Sequence, residues 1–152
     1  MKYTDENNID KIDDKLWLGN FEGANDHGTL KKNKISIIIN LYKNQLNKYD
    51  GIKYYHLPYK FDEISLKDSW NIMHKLLNIV NKHKNDNILI NCKAGHHRSA
   101  NAIILYLIDK YRINYDKAKK YVKNIRKHSL DRESNMTAAM REYGNMVYYI
   151  YN

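Results

Sequence analysis

Apolar residues along this chain come in short runs set between polar stretches, and the spacing within each run names the element it predicts. Ile88-Leu89-Ile90 follows the polar turn Lys84-Asn85-Asp86-Asn87, and a short β-branched and aliphatic run of this kind predicts a buried strand over 88–91. Similar runs predict strands over 15–18, 35–41 and 53–57. From Ala100 to Ile108 the chain is almost continuously apolar, too long for an exposed loop, which predicts a largely buried helix over 99–111. Leu66, Trp70, Met73, Leu77 and Val80 recur at helical spacing behind Ser65 and Asp68, a capping-box pair, and predict a helix over 66–82. Further helices are predicted over 24–32, 115–127 and 135–149, the last with Met136, Met140, Tyr143, Val147 and Ile150 as its apolar stripe. Strands alternating with helices predict an α/β single domain, a central mostly parallel sheet flanked by helices. The polar residues 1–8 are expected to be flexible, leaving 9–152 as the folded domain.

Against that frame one loop carries chemistry. Cys92, the only cysteine, lies just past a strand, and residues 93–98 open onto a helix N-terminus. Amides at such an end lack partners and carry partial positive charge, so they favour an anion and ease formation of a thiolate. Gly95 lets the backbone curl so that several amides converge. Arg98 can hold two phosphate oxygens at once, and the hydroxyl of Ser99 can donate to the sulfur. Nucleophile, anion cradle and charge clamp thus stand together, with Lys93, Ala94, Gly95, His96, His97 and Arg98 as the phosphate-binding set.

The stretch Cys92-Lys93-Ala94-Gly95-His96-His97-Arg98-Ser99 resembles the Cys-x5-Arg-Ser/Thr signature of cysteine-based protein tyrosine phosphatases, and the small size resembles their dual-specificity branch. Residues 12–20 are similar to the opening strand of that branch, 35–41 to its next strand, and 118–126 to the helix after the signature. The resemblance implies a metal-independent phosphatase, without cofactor, working through a phosphocysteine. It also implies a general acid, because an alkoxide or phenoxide leaves poorly without a proton. The family takes an aspartate from a loop about thirty residues before the cysteine, where Asp62, Glu63 and Asp68 stand. Spacing favours Asp62, and Asp68 is expected to be occupied at the start of a helix. One departure matters. The family has histidine before the nucleophile, and here Asn91 offers amide hydrogen bonds but no titratable ring. A lower rate at neutral pH is expected, with a phosphate-binding pseudophosphatase as the alternative.

Composition narrows the setting more than the chemistry. With 152 residues, 43% of them hydrophobic, the chain suffices for one core. A lone cysteine rules out an internal disulfide. There is no apolar stretch of bilayer-spanning length and no signal-peptide core, and Lys2 stands where myristoylation needs glycine; a soluble, cytoplasmic protein is expected. The net charge of +9, from 26 Lys and Arg against 17 Asp and Glu, fits an anionic partner without naming it. A phosphorylated protein is the first expectation, with a shallow site accepting phosphotyrosine and phosphoserine/threonine. Phosphoinositides, because Lys93 and Ala94 resemble the loop of phosphoinositide 3-phosphatases, and RNA 5′-phosphates, which the charge permits and a related branch hydrolyses, are the alternatives; RNA binding should weaken steeply with salt. His96 and His97 lack further residues at metal-ligand spacing and are expected to face the substrate, adding positive charge when protonated.

Overall fold

The structure, a computed structural model, describes residues 6–151. Its elements run β1 (Ile9–Asp13), β2 (Leu16–Gly19), α1 (Phe21–Asn25), α2 (His27–Lys32), β3 (Ile37–Asn40), β4 (Lys53–His56), α3 (Leu66–Lys82), β5 (Ile88–Asn91), α4 (Arg98–Tyr111), α5 (Tyr115–Ile125) and α6 (Asn135–Tyr151). The sheet order is β1-β2-β5-β3-β4, with only the β1–β2 pair antiparallel. The predicted α/β fold is therefore the one observed.

Side chains alternate across a strand, and the three inner strands are apolar on both faces, as a sheet covered on both sides requires. Leu16, Leu18, Ile37, Ile39, Ile88 and Ile90 pack toward α3–α6. Trp17, Ile38 and Leu89 pack on the other side with Ala24 of α1 and Leu30 of α2. The parallel registers align Gly19 with Asn91 and Asn40 with both Asn91 and His56. The carboxyl ends of β2, β5, β3 and β4 thus finish level, and the loops that leave them share one edge, where ligands bind in open α/β sheets.

Four expectations shift. Strand β1 was not predicted: only Ile12 is buried in it, and Asp10, Lys11 and Asp13 hide the alternation. The helix expected over 24–32 is two short ones divided at Asp26, which ends α1 and whose carboxylate accepts from Thr29 N–H to begin α2. In α6 the stripe of Met136, Met140 and Val147 is buried, but Ile150 is exposed. Helix α3 matches its prediction; Ser65 accepts from Asp68 N–H, which places Asp68 in the first turn. Residues 1–5 of the segment expected to be loose lie outside the described residues. Glu6, Asn7 and Asn8 are held: Glu6 pairs with His96, Asn7 carbonyl accepts from Arg126, and Asn8 carbonyl from Asn20. Among the described residues no helix is long and apolar enough to cross a membrane.

Candidate active site

Cys92 is buried at the end of β5. Its Sγ lies 3.2 Å from Ser99 Oγ and 3.3 Å from Gly95 N, which donates to it. The loop then enters α4 at Arg98, and His97, the residue before that helix, makes no side-chain bond to a first-turn amide. The helix end is left open for an anion.

What turns the loop amides inward is the fate of their carbonyls. In a planar trans peptide the C=O and the following N–H point opposite ways. Each carbonyl from Cys92 to His96 is engaged: Cys92 by Asn91 Nδ2 at 3.3 Å, Lys93 by Phe21 N at 3.0 Å, Ala94 and Gly95 by the Arg126 guanidinium at 3.2 and 2.8 Å, and His96 by Leu130 N at 2.7 Å. The amides of residues 93–97 consequently face away from these partners. Gly95 holds a φ of +72°, which glycine adopts without the strain a side chain adds. A Cβ there would meet the backbone of Gly19 at 2.8 Å and Arg126 Nη2 at 2.9 Å, so the loop sits directly on the end of β2.

Asn91 acts as part of this frame. It is fully buried, and besides the Cys92 carbonyl it donates to Asn40 Oδ1 at 3.0 Å, its register partner on β3. Asn40 in turn accepts from Tyr42 N–H and donates to the Asn44 carbonyl. The two amides tie the strand ends together and fix the peptide after Cys92 without an ionisable group. Beneath the loop, the buried guanidinium of Arg126 also pairs with Asp10 at 2.8 Å and Glu6 at 3.4 Å.

The loop between β4 and α3 reaches the cradle through its aromatic residues. Arg98 Nη1 donates to the Tyr59 carbonyl at 3.3 Å, and the Arg98 guanidinium lies 5.5 Å from the Tyr42 ring centre. Burial, and then the charge on Cys92 nearby, push the Tyr59 phenol far up. Phe61 is buried, packs on the His97 ring at 5.1 Å, and carries Arg132 on its face. Asp62 follows it, exposed, with Arg132 Nη1 3.5 Å away. Glu63 instead pairs with Lys60. Of the three acids considered, Asp62 is the one next to a residue packed on the cradle.

The histidines differ from expectation. His96 is buried and faces Glu6 Oε2 at 2.6 Å rather than a substrate. His97 Nε2 accepts from Arg132 N–H at 3.2 Å, and burial together with the Arg132 charge lowers its pKa to about 4. It is neutral at pH 7 and adds no charge at the rim. Their amides, not their rings, remain candidates for an anion. Among the described residues no group of three or more His, Cys, Asp or Glu could hold a metal. Sequence reasoning missed Asn40, Tyr42, Tyr59, Arg126 and Arg132. The matching asparagines at the ends of two predicted parallel strands were a usable signal for Asn40; the others come from loops and a helix end whose approach no local pattern encodes.

Comparison with known proteins agrees with this geometry. The chain is 30% identical over 118 residues to human protein phosphatase Slingshot homolog 2, covering 76% of this chain and 8% of that protein. It is 29% identical over 108 residues to human dual specificity protein phosphatase 22, covering 67% and 55%. It therefore spans well under two thirds of these relatives. The AMV078 protein of Amsacta moorei entomopoxvirus, named after tyrosine-protein phosphatases, is 37% identical over 128 residues, covering 76% of this chain and 74% of that one. In fold, the crystal structure of DUSP15 superposes with a TM-score of 0.79 at 23% identity, covering 90% and 86% of the two chains. Human DUSP28 superposes at 0.76 and 18%, covering 93% and 96%. Residues 16–146 match the family described as "Dual specificity phosphatase, catalytic domain", and by that match, on a fold and loop that suit it, this chain belongs to the dual-specificity phosphatases.

Proposed function

We propose that the domain hydrolyses phosphate esters of proteins, on tyrosine and on serine or threonine, through a phosphocysteine. Cys92 thiolate attacks phosphorus in line with the leaving oxygen while Arg98 and the amides of residues 93–97 hold the other three oxygens. Asp62, protonated, gives its proton to the departing alkoxide or phenoxide as the P–O bond breaks. Asp62, now ionised, takes a proton from a water that attacks the phosphocysteine. The S–P bond breaks, Ser99 Oγ donates to the leaving thiolate, and inorganic phosphate departs. No metal or redox partner enters the balance.

The observation that carries this reading is the set of five outward-held carbonyls around a sulfur with Ser99 Oγ at 3.2 Å. It builds an anion cradle before any substrate arrives, which is the preorganisation that electrostatic catalysis needs. Asn91, which donates to the Cys92 carbonyl and to Asn40 Oδ1, holds the peptide after the nucleophile, which supports turnover over mere phosphate binding. A thiolate that must stay reduced supports the cytoplasmic setting expected from the sequence. The test is hydrolysis of an aryl phosphate across about pH 5 to 8 with a chelator present, where catalysis has its acid and base limits. Turnover should vanish in Cys92→Ser and fall about 10²- to 10⁴-fold in Asp62→Asn, the range for loss of a general acid. Turnover that survives Cys92→Ser would refute the mechanism.

A further inference from the structure

We propose that Phe61 is a positioning residue for the general acid: packed against the His97 ring and under the Arg132 guanidinium, it seats the loop that carries Asp62 on the phosphate loop and so holds the acid at the leaving oxygen. This rests on the phosphatase reading above and adds a residue to the machinery that delivers the proton.

Phe61 is 6% exposed, yet it joins neither apolar core of the domain. Its burial lies at the site instead. The His97 ring centre is 5.1 Å away and the rings are tilted by 48°, within the range of favourable aromatic pairs. The Arg132 guanidinium lies 5.1 Å from the Phe61 ring centre, a cation–π distance. These two neighbours are themselves joined, since Arg132 N–H donates to His97 Nε2 at 3.2 Å. His97 is the residue before Arg98, where α4 begins. A phenylalanine in this seat therefore registers its own loop against the cradle.

The backbone carries that register to the acid. Glu63 N–H donates to the Lys60 carbonyl at 3.2 Å, closing a turn with Phe61 and Asp62 as its central residues. Seating one of them fixes where the other starts. The turn is also tied on each side: Arg98 Nη1 donates to the Tyr59 carbonyl at 3.3 Å, and Asn135 Nδ2 to the Ile64 carbonyl at 3.0 Å. The Asp62 side chain is itself 69% exposed, with Arg132 Nη1 at 3.5 Å, and a side chain so open to water does not place itself. A carboxyl that gives and then takes a proton needs a fixed origin, and the aromatic residue beside it supplies one. Placement of this kind governs rate, because a reacting group displaced by about 1 Å can lose about 10²-fold.

The experiment reads leaving-group dependence, which separates delivery of the proton from the rest of the site. Phenyl phosphate has a poor leaving group and needs the acid; para-nitrophenyl phosphate has a good one and needs it less. The kcat/KM for each is measured in the unmodified chain, in Phe61→Ala, Phe61→Leu and Asp62→Asn, and in the double variant Phe61→Leu with Asp62→Asn. Phe61→Ala should lower the phenyl value about tenfold more than the nitrophenyl value, a fraction of the selective loss in Asp62→Asn. Phe61→Leu, which keeps apolar bulk and so protects folding, should move the ratio the same way by about threefold. In the double variant the ratio should match that of Asp62→Asn alone, because no acid is left to misplace. Equal loss on both substrates, or no loss, in both single Phe61 variants overturns the inference, since Phe61 would then serve the fold or the cradle and not the acid. A further change of ratio in the double variant overturns it too. Asp62→Asn without leaving-group selectivity would instead bring down the acid assignment in the phosphatase reading itself.

Discussion

The two sides of the phosphate loop are built to opposite standards. Underneath, Arg126 is 0% exposed and distributes its guanidinium over two carboxylates and three carbonyls. At the rim, Asp62 and Arg132 meet at 3.5 Å with side chains 69% and 61% exposed. The first arrangement tolerates no vacancy, because a buried charge or carbonyl without its partner costs several kcal/mol. The second is screened by water and contributes little to stability. The contrast suits the proposed chemistry. The group that holds phosphate needs fixed dipoles, whereas an acid that must give a proton and then take one gains from contact with solvent.

The contrast should be broken most severely from below. Arg126→Met removes one partner from Glu6 and Asp10 at once, and the expected loss is about 3–5 kcal/mol, read from urea unfolding of the variant. A change below 1 kcal/mol would show that the lower side is as loosely made as the rim.

A pH scan sharpens the comparison from the other direction. His97, neutral in the fold, has its pKa lowered to about 4, first by burial and then by Arg132 and His96, against weaker opposition from Asp131 and Asp62. The unfolded chain takes up the proton first, so stability attributable to His97 is full above pH 6.5 and declines as pH falls toward 4. Thermal unfolding of His97→Gln should lack that component, and a ring titration by NMR should place the His97 pKa at about 4.

The smallest effect belongs to Arg132→Ala. Stability should change by less than about 1 kcal/mol, measured by the same urea unfolding. The backbone N–H that bonds His97 survives the change, so removal of the nearby positive charge should move the His97 pKa upward.

Legibility from sequence divided along similar lines. Cys92, Gly95, Arg98 and Ser99 sit within eight consecutive positions, and their spacing is the chemistry, so they could be read together. Helix α3 and strand β5 were also plain, since a cap, a period or an apolar run lies wholly inside each. Strand β1 was not, because three of its five residues are charged and one of these, Asp10, answers to Arg126 across 116 positions. Tyr42 and Tyr59 meet the cradle through loop paths that no local pattern records. The histidines misled for the same reason: adjacent in sequence, they point to different neighbours, His96 toward Glu6 and His97 toward Arg132.

Glu6 bonds His96, a residue 90 positions later, and lies 3.4 Å from Arg126. The leading segment is thereby a remote handle on turnover. A protease, a fused tag or a docking protein that peels away residues 6–8 would slacken the cradle from behind and dim the enzyme without touching Cys92, Arg98 or Ser99.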